Sequence, residues 1–164
     1  NSAAGALLNQ HEANLRPTLG TTAPMVTVRR HVPVDWTDYN GHMNEGRYGQ
    51  VFSDAADAVM VHVGADAAYI EAGQSYFTVE TTVKYLQETH AGTAVEVHSK
   101  VTVGAGKKLG LFHEMRGLDG TVLATCNQLM IHVDLETRRS SLPAGTVQKK
   151  VEALAAAHKA EDKP

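Results

Sequence analysis

The chain has 164 residues, 43% of them apolar, and a formal net charge of −3. That length suits one compact domain, and the acidic balance argues against a general nucleic-acid binder, which needs a net basic face to displace counterions from phosphates. A single cysteine, Cys126, cannot form an internal disulfide, no apolar run approaches bilayer-spanning length and the start lacks a secretory pattern, so the expected setting is a reducing cytoplasm with no membrane partner.

In chain order, residues 1–24 show only a brief Ala6-Leu7-Leu8 patch before Gly20-Thr21-Thr22-Ala23-Pro24 and read as an arm or linker. The chain begins with Asn1 rather than Met, as expected of a piece of a longer protein or, equally, of a trimmed chain. Val26, Val28, Val32 and Val34 alternate with polar residues at the period of a half-buried strand. From Glu45 to Val63, Tyr48, Val51, Phe52, Ala55, Val59 and Val63 share one face at helical spacing, with Gln50, Ser53 and Asp57 turned elsewhere. A connection follows from Gly64 to Gly73. Four strands are then expected as a meander: Ser75 to Gln87 with Phe77, Val79, Thr81, Val83 and Tyr85 on one side; Thr93 to Val103; Leu109, Leu111, His113 and Met115 on one face of a third; and Thr121 to Val133. His90-Ala91-Gly92, Gly104-Ala105-Gly106 and Leu118-Asp119-Gly120 supply the turns. Thr146 to His158 reads as an amphipathic or surface helix. The expected division is residues 25–140 as the folded domain and 141–164 as a C-terminal helix and tail. One long helix across a bent antiparallel sheet is an α+β solution that buries the apolar faces of both.

The segment Asp35-Trp36-Thr37-Asp38-Tyr39-Asn40-Gly41-His42-Met43-Asn44-Glu45-Gly46-Arg47-Tyr48 is a polar turn running into the long helix. A helix start offers unpaired N–H groups and partial positive charge to a docked carbonyl oxygen, while an upstream carboxylate can attack or deprotonate what is held there. The plainer reading of the same residues is an Asx turn at Asp38, a turn pair at Asn40-Gly41 and a helix cap at Asn44.

Asp38-x-x-Gly41-His42-x-Asn44, with Tyr48 one turn later, resembles the signature of the hotdog-fold acyl-CoA thioesterases related to 4-hydroxybenzoyl-CoA thioesterase. The resemblance spans about residues 25–135 and implies a hotdog fold, a long helix wrapped by a curved antiparallel sheet. It also implies a catalytic carboxylate at Asp38 acting as nucleophile or general base, an oxyanion donor at the backbone N–H near Glu45, close backbone approach at Gly41, and supporting roles for His42 and Asn44. Coenzyme A belongs to the substrate, so no cofactor is expected. Homodimers or tetramers with the acyl groove between subunits are implied as well. Within the family, Val34 to Glu45 is most similar to the betainyl-CoA thioesterases of carnitine breakdown, some of them fused behind a carnitine dehydrogenase, which makes fusion to or joint action with such a dehydrogenase an expectation. A trimethylammonium substrate would seek aromatic faces, for which Trp36, Tyr39, Tyr48, Tyr76 and Phe77 are candidates. Lys107, Lys108 and Arg116 are candidates for the coenzyme A phosphates. A non-catalytic acyl-CoA binding module is one alternative. A hydratase or dehydratase on the same fold is another, disfavoured because the His-x-x-Gly-His-Pro loop of those relatives is missing. No metal is expected: the nine histidines form no His-x-His, His-x-x-x-His or Cys pairing.

Overall fold

The computed structural model describes residues 25–161, so the expected arm over residues 1–24 and the end of the tail lie outside the description. The elements are β1 (Met25–His31), a 3-10 turn (Val34–Trp36), α1 (Glu45–His62), α2 (Ala67–Glu71), β2 (Gln74–Tyr85), β3 (Ala94–Ala105), β4 (Lys108–Gly117), β5 (Val122–Asp134), β6 (Arg139–Ser140) and α3 (Gly145–Glu161). One antiparallel sheet runs in the order β1-β3-β4-β5-β2, with β6 on β5. Helix α1 lies across it, touching β1, β3 and β4, in the hotdog arrangement.

The helix face read from the sequence is the buried one: Tyr48, Val51, Phe52, Ala55, Val59 and Val63 are all out of water, and Gln50, Ser53 and Asp57 are exposed. Val51, Phe52 and Val59 are sealed completely, each worth roughly 1.5–3 kcal/mol of burial. The alanines at 55, 56 and 58 keep the helix close to the strands. Apolar residues gather in two clusters along α1. One sits around Trp36, Tyr48, Phe52 and Met115 at its start, and the other around Val59, Val63, Leu111 and the α3 residues Val147, Val151 and Leu154 towards its end. Helix α3 is thus packed into the domain, laid on β3. Gly104 makes that possible: a Cβ there would stand 2.8 Å from Ala155 Cβ and 2.9 Å from the Val151 carbonyl. The sequence assigned Gly104 to a turn, whereas it lies inside β3 and the turn falls at Gly106, which adopts φ 60°.

Two further expectations are corrected. The meander holds for β3-β4-β5 only, because β2 pairs with β5 at the sheet edge and the chain then crosses through Glu88, Thr89 and His90 before β3. Alternation along a strand reports its faces and not its neighbours. Nor do Phe77, Val79, Val83 and Tyr85 share one environment. The ladder to β5 shifts between Thr78 and Glu80, and this bulge at Val79 inverts the in–out parity. Tyr76 is buried before the bulge and Val83 packs on the first cluster after it, while Phe77 and Val79 remain 42% and 58% exposed. A similar shift between Val101 and Val103 leaves Val103 outside. The connection from Gly64 to Gly73 contains α2, capped by Asp66 accepting the Tyr69 N–H at 3.1 Å.

Candidate functional site

The segment before α1 is held by its own backbone. The Asp38 N–H donates to the His42 carbonyl at 2.8 Å and the Gly41 N–H returns to the Asp38 carbonyl at 3.0 Å, a tight loop that needs φ +75° at Gly41 and therefore favours glycine. Asp38 Oδ1 accepts the Asn40 N–H at 2.9 Å and the His42 N–H at 3.1 Å. These two amides, His42 first, hold the Asp38 carboxyl below the usual aspartate range, so it is ionised at neutral pH. The loop is tied down when the Asn44 N–H meets the Trp36 carbonyl at 2.8 Å and the Met43 N–H meets the Thr89 carbonyl at 2.6 Å. Asn44 then caps α1, its Oδ1 accepting the Gly46 N–H at 3.1 Å. The Arg47 N–H takes the Asn44 carbonyl. Among the described residues no bond takes the Glu45 N–H, the first amide of the helix. It is a donor free to meet a ligand oxygen, on the positive end of the helix dipole.

A cleft of about 260 Å³ opens beside this amide, between the helix start and the Tyr85–Thr89 stretch. His42, Glu45, Tyr48, Tyr85 and Glu88 line it. The Tyr48 hydroxyl donates to Thr89 Oγ1 at 3.0 Å, and its ring meets Tyr85 edge-on at 5.1 Å between centroids. Burial first, and then the charge of Glu45, push the Tyr85 hydroxyl above its ordinary pKa. His42 packs edge-on against His90 at 4.8 Å and places Nε2 3.2 Å from Glu88 Oε2.

His42, Glu88 and His90 form a ligand-type group absent from the sequence expectation, each offering an atom within 4.8 Å of the others. Spacing rules miss it because the fold joins the two loops through a bridge between His42 and His90. Within it, His42 Nε2 and Glu88 Oε2 at 3.2 Å stand near the roughly 3.4 Å edge of a zinc tetrahedron at ordinary Zn–N lengths.

The other expected residues are dispersed. Asp38 is exposed in the single chain and does not line the cleft. Trp36 is buried, with the guanidinium of Arg30 3.8 Å and that of Arg47 5.4 Å from its ring centroid, so its face already carries cations. Tyr39 projects fully into solvent. Tyr76 and Phe77 lie at the far end of β2, Tyr76 edge-on to His132 and Phe77 beneath Arg138. Lys108 and Arg116 stand eight residues apart in β4, about 27 Å at ~3.4 Å per residue, and cannot meet the same phosphate within one chain. Lys107 reaches Ser140 at 3.4 Å and Arg116 is paired with Glu114 at 3.0 Å. Tyr85, Glu88, Thr89 and His90 were not singled out from the sequence; the turn at His90-Ala91-Gly92 marked the place but not its pairing with the Asp38 loop.

The profile of the thioesterase-like superfamily matches residues 32–154. The chain belongs to this superfamily. Among characterised relatives, the L-carnitine dehydrogenase/betainyl-CoA thioesterase of Ruegeria pomeroyi is 44% identical over 96% of this chain and 34% of its own length. The betainyl-CoA thioesterase of Pseudomonas aeruginosa is 38% identical over 83% of the chain and 87% of its own. The chain thus spans about a third of the length of the fused relatives. Among solved structures, a putative thioesterase from Pseudomonas putida KT2440 superimposes with a TM-score of 0.73 at 30% identity, covering 86% of this chain and 91% of that one. A hypothetical protein of Staphylococcus aureus solved in complex with CoA shares the fold at a TM-score of 0.78 and 22% identity, covering 85% of this chain and 90% of the other.

Proposed function

We propose that this chain hydrolyses the thioester of betainyl-CoA, with coenzyme A entering only as part of the substrate. The observation that carries the reading is the ionised carboxylate of Asp38, locked by two amides seven residues before the free Glu45 N–H, in a chain whose relatives are thioesterases. The Glu45 N–H donates to the developing oxyanion of the thioester carbonyl. Asp38 Oδ2, the oxygen not used by the loop, attacks the carbonyl carbon. The C–S bond breaks, the thiolate leaves and takes a proton, and water cleaves the resulting anhydride to return the carboxylate. The same carboxylate can instead draw a proton from water that attacks directly. His42 and Asn44 hold the loop and the helix start for either route, and Lys107, Lys108 and Arg116 reach coenzyme A phosphates only where an assembly of chains brings them together.

Asp38 faces solvent in one chain, so the reading includes a second copy to close the groove. Among the described residues nothing pairs with the outer edge of β2, and the strand carries the exposed Phe77 and Val79, which suits edge-to-edge association into a homodimer or a tetramer of such pairs. A carnitine dehydrogenase, fused or separate, is the natural partner by analogy with the relatives' composite names. Among the described residues no helix is long and apolar enough to cross a membrane.

The test is release of free thiol from a panel of acyl-CoA esters including betainyl-CoA, with wild type and Asp38→Asn compared. The expected result is rapid release by wild type and a loss of about a thousandfold in the mutant with melting unchanged, the order of effect that removal of a covalent or general-base group produces. Equal rates in the two proteins remove Asp38 from the mechanism. No release from any ester leaves an acyl-CoA binding module.

A further inference from the structure

The aromatic residues expected from the sequence to receive a cationic head do not assemble around one space, but a different set does. Tyr85 is 53% exposed beside the buried Tyr48, and it lines the cleft together with the acidic residues Glu45 and Glu88. An aromatic face with carboxylates nearby is the environment that binds a quaternary ammonium, which has no N–H to donate and is recognised by charge and ring quadrupole alone.

We infer that the cleft between the α1 start and the Tyr85–Thr89 stretch is the receptor for a quaternary ammonium acyl head, with Tyr85 as its aromatic wall and Glu88 and Glu45 as its counter-charges. The inference rests on the thioester reading above and assigns it the acyl subsite. Distance supports it. In a betainyl ester the nitrogen and the carbonyl carbon are separated by one methylene, as in an amino-acid backbone, and lie only about 2.5 Å apart. The cation must therefore sit next to the oxyanion donor. Only a pocket that includes the helix start itself meets this condition, and this one contains Glu45, whose own N–H is that donor.

Charge adds direction. The phosphates of coenzyme A are repelled by Glu45 and Glu88, so the cleft selects the acyl end of the substrate and leaves the nucleotide outside. A neutral acyl group of the same shape would draw no attraction from either carboxylate. Glu88 is itself 69% exposed and is held by His42 at 3.2 Å, so it can be exchanged without opening the core. Tyr85 ends an edge strand and its loss likewise spares both apolar clusters, of which it is not a member.

The experiment compares kcat/KM for betainyl-CoA with that for 3,3-dimethylbutanoyl-CoA, in which carbon replaces the nitrogen and the shape is kept. Wild type should favour the cationic ester about tenfold or more, and Glu88→Gln and Tyr85→Leu should each cut that ratio roughly five- to tenfold, the range of a partly desolvated cation–π or ion contact. A wild-type ratio near one, or a ratio that neither substitution moves, overturns the assignment. Should wild type cleave neither ester, the thioester reading falls, and the receptor is then judged on free glycine betaine followed by NMR. Saturable shifts of the Tyr85 ring protons that weaken in Glu88→Gln uphold it, and an unmoved Tyr85 refutes it.

Discussion

The two ends of α1 make a useful contrast, because both are built from tyrosine and histidine and only one is open. Beyond its C-terminal end, Tyr69 from α2 lies 2.6 Å from His132 Nε2, its oxygen accepts the Ala144 N–H at 3.1 Å, and Gln74 meets the same hydroxyl at 2.9 Å. His132 Nδ1 faces the Ser141 carbonyl at 2.9 Å. His132 Nδ1–H donates to the Ser141 carbonyl, and the Tyr69 O–H is directed to Gln74 Oε1 with His132 Nε2 against the same phenol oxygen. The Tyr69 oxygen and both ring nitrogens of His132 are thus engaged inside the fold. At the amino-terminal end, the Glu45 amide, the second oxygen of Asp38 and the face of Tyr85 are directed outward. Residue type therefore does not separate structural groups from candidate functional ones here. Spare valence turned outward does.

The contrast can be broken in several ways. The largest expected effect is catalytic: Asp38→Asn at the open end costs about a thousandfold in turnover, roughly 4 kcal/mol of barrier, while the melting temperature stays within about two degrees by calorimetry. The reverse is expected at the closed end. His132→Ala empties the place of a fully buried ring and removes one partner of the half-buried Tyr69 hydroxyl, and should lower stability by about 2–3 kcal/mol in urea titrations, with kcat per folded molecule unchanged.

Between the two ends, a buried chain runs from Thr27 through Ser99 to His113 Nδ1 at 2.8 and 2.6 Å, and from His113 Nε2 to Gln128 Oε1 at 2.8 Å, with Phe52 stacked on the imidazole. Burial drives the His113 pKa down from 6.5 to about 4, only partly offset by Gln128. Because the folded pKa is the lower one, the unfolded chain binds the extra proton. Stability is complete above about pH 6.5 and falls as pH drops towards 4, by about 3 kcal/mol from this residue. His132, its pKa also lowered by burial, adds to the slope with the same sign. Urea unfolding at pH 7, 6 and 5 checks this, and a His113→Gln variant should lose most of the dependence. The smallest effect is that of Asn44→Ala, which removes the cap on Gly46 and should cost about 1 kcal/mol while also raising KM, since the helix start it fixes adjoins the cleft.

Much of this was legible in the sequence. The helix face from Tyr48 to Val63 and the strand face Leu109-Leu111-His113-Met115 lie where periodicity puts them, because each is a local pattern acting on one continuous core. The Asp38–Asn44 loop was legible as well, since its glycine, aspartate and asparagine have specific backbone duties and the structure shows them performed. What escaped depended on pairing across long separations. The edge position of β2, the bulge at Val79, the meeting of His42 with His90 and the scatter of Trp36, Tyr39, Tyr76 and Phe77 are all set by register between strands, to which alternation along a single strand is blind.

The shift at Val79 has one more consequence. Because it reverses which side of β2 faces inward, one strand serves the interior with Tyr76 at its start and with Val83 near its finish, and still leaves Phe77 and Val79 for the rim. A shortening of β2 by a single residue at that point would straighten the ladder and turn Val83 away from α1, and with Val83 the ring of Tyr85 that Tyr48 leans on. Length at this position is therefore expected to be guarded more strictly than the identity of any side chain within it, and relatives that drop the extra residue should also have rebuilt the acyl end of their site.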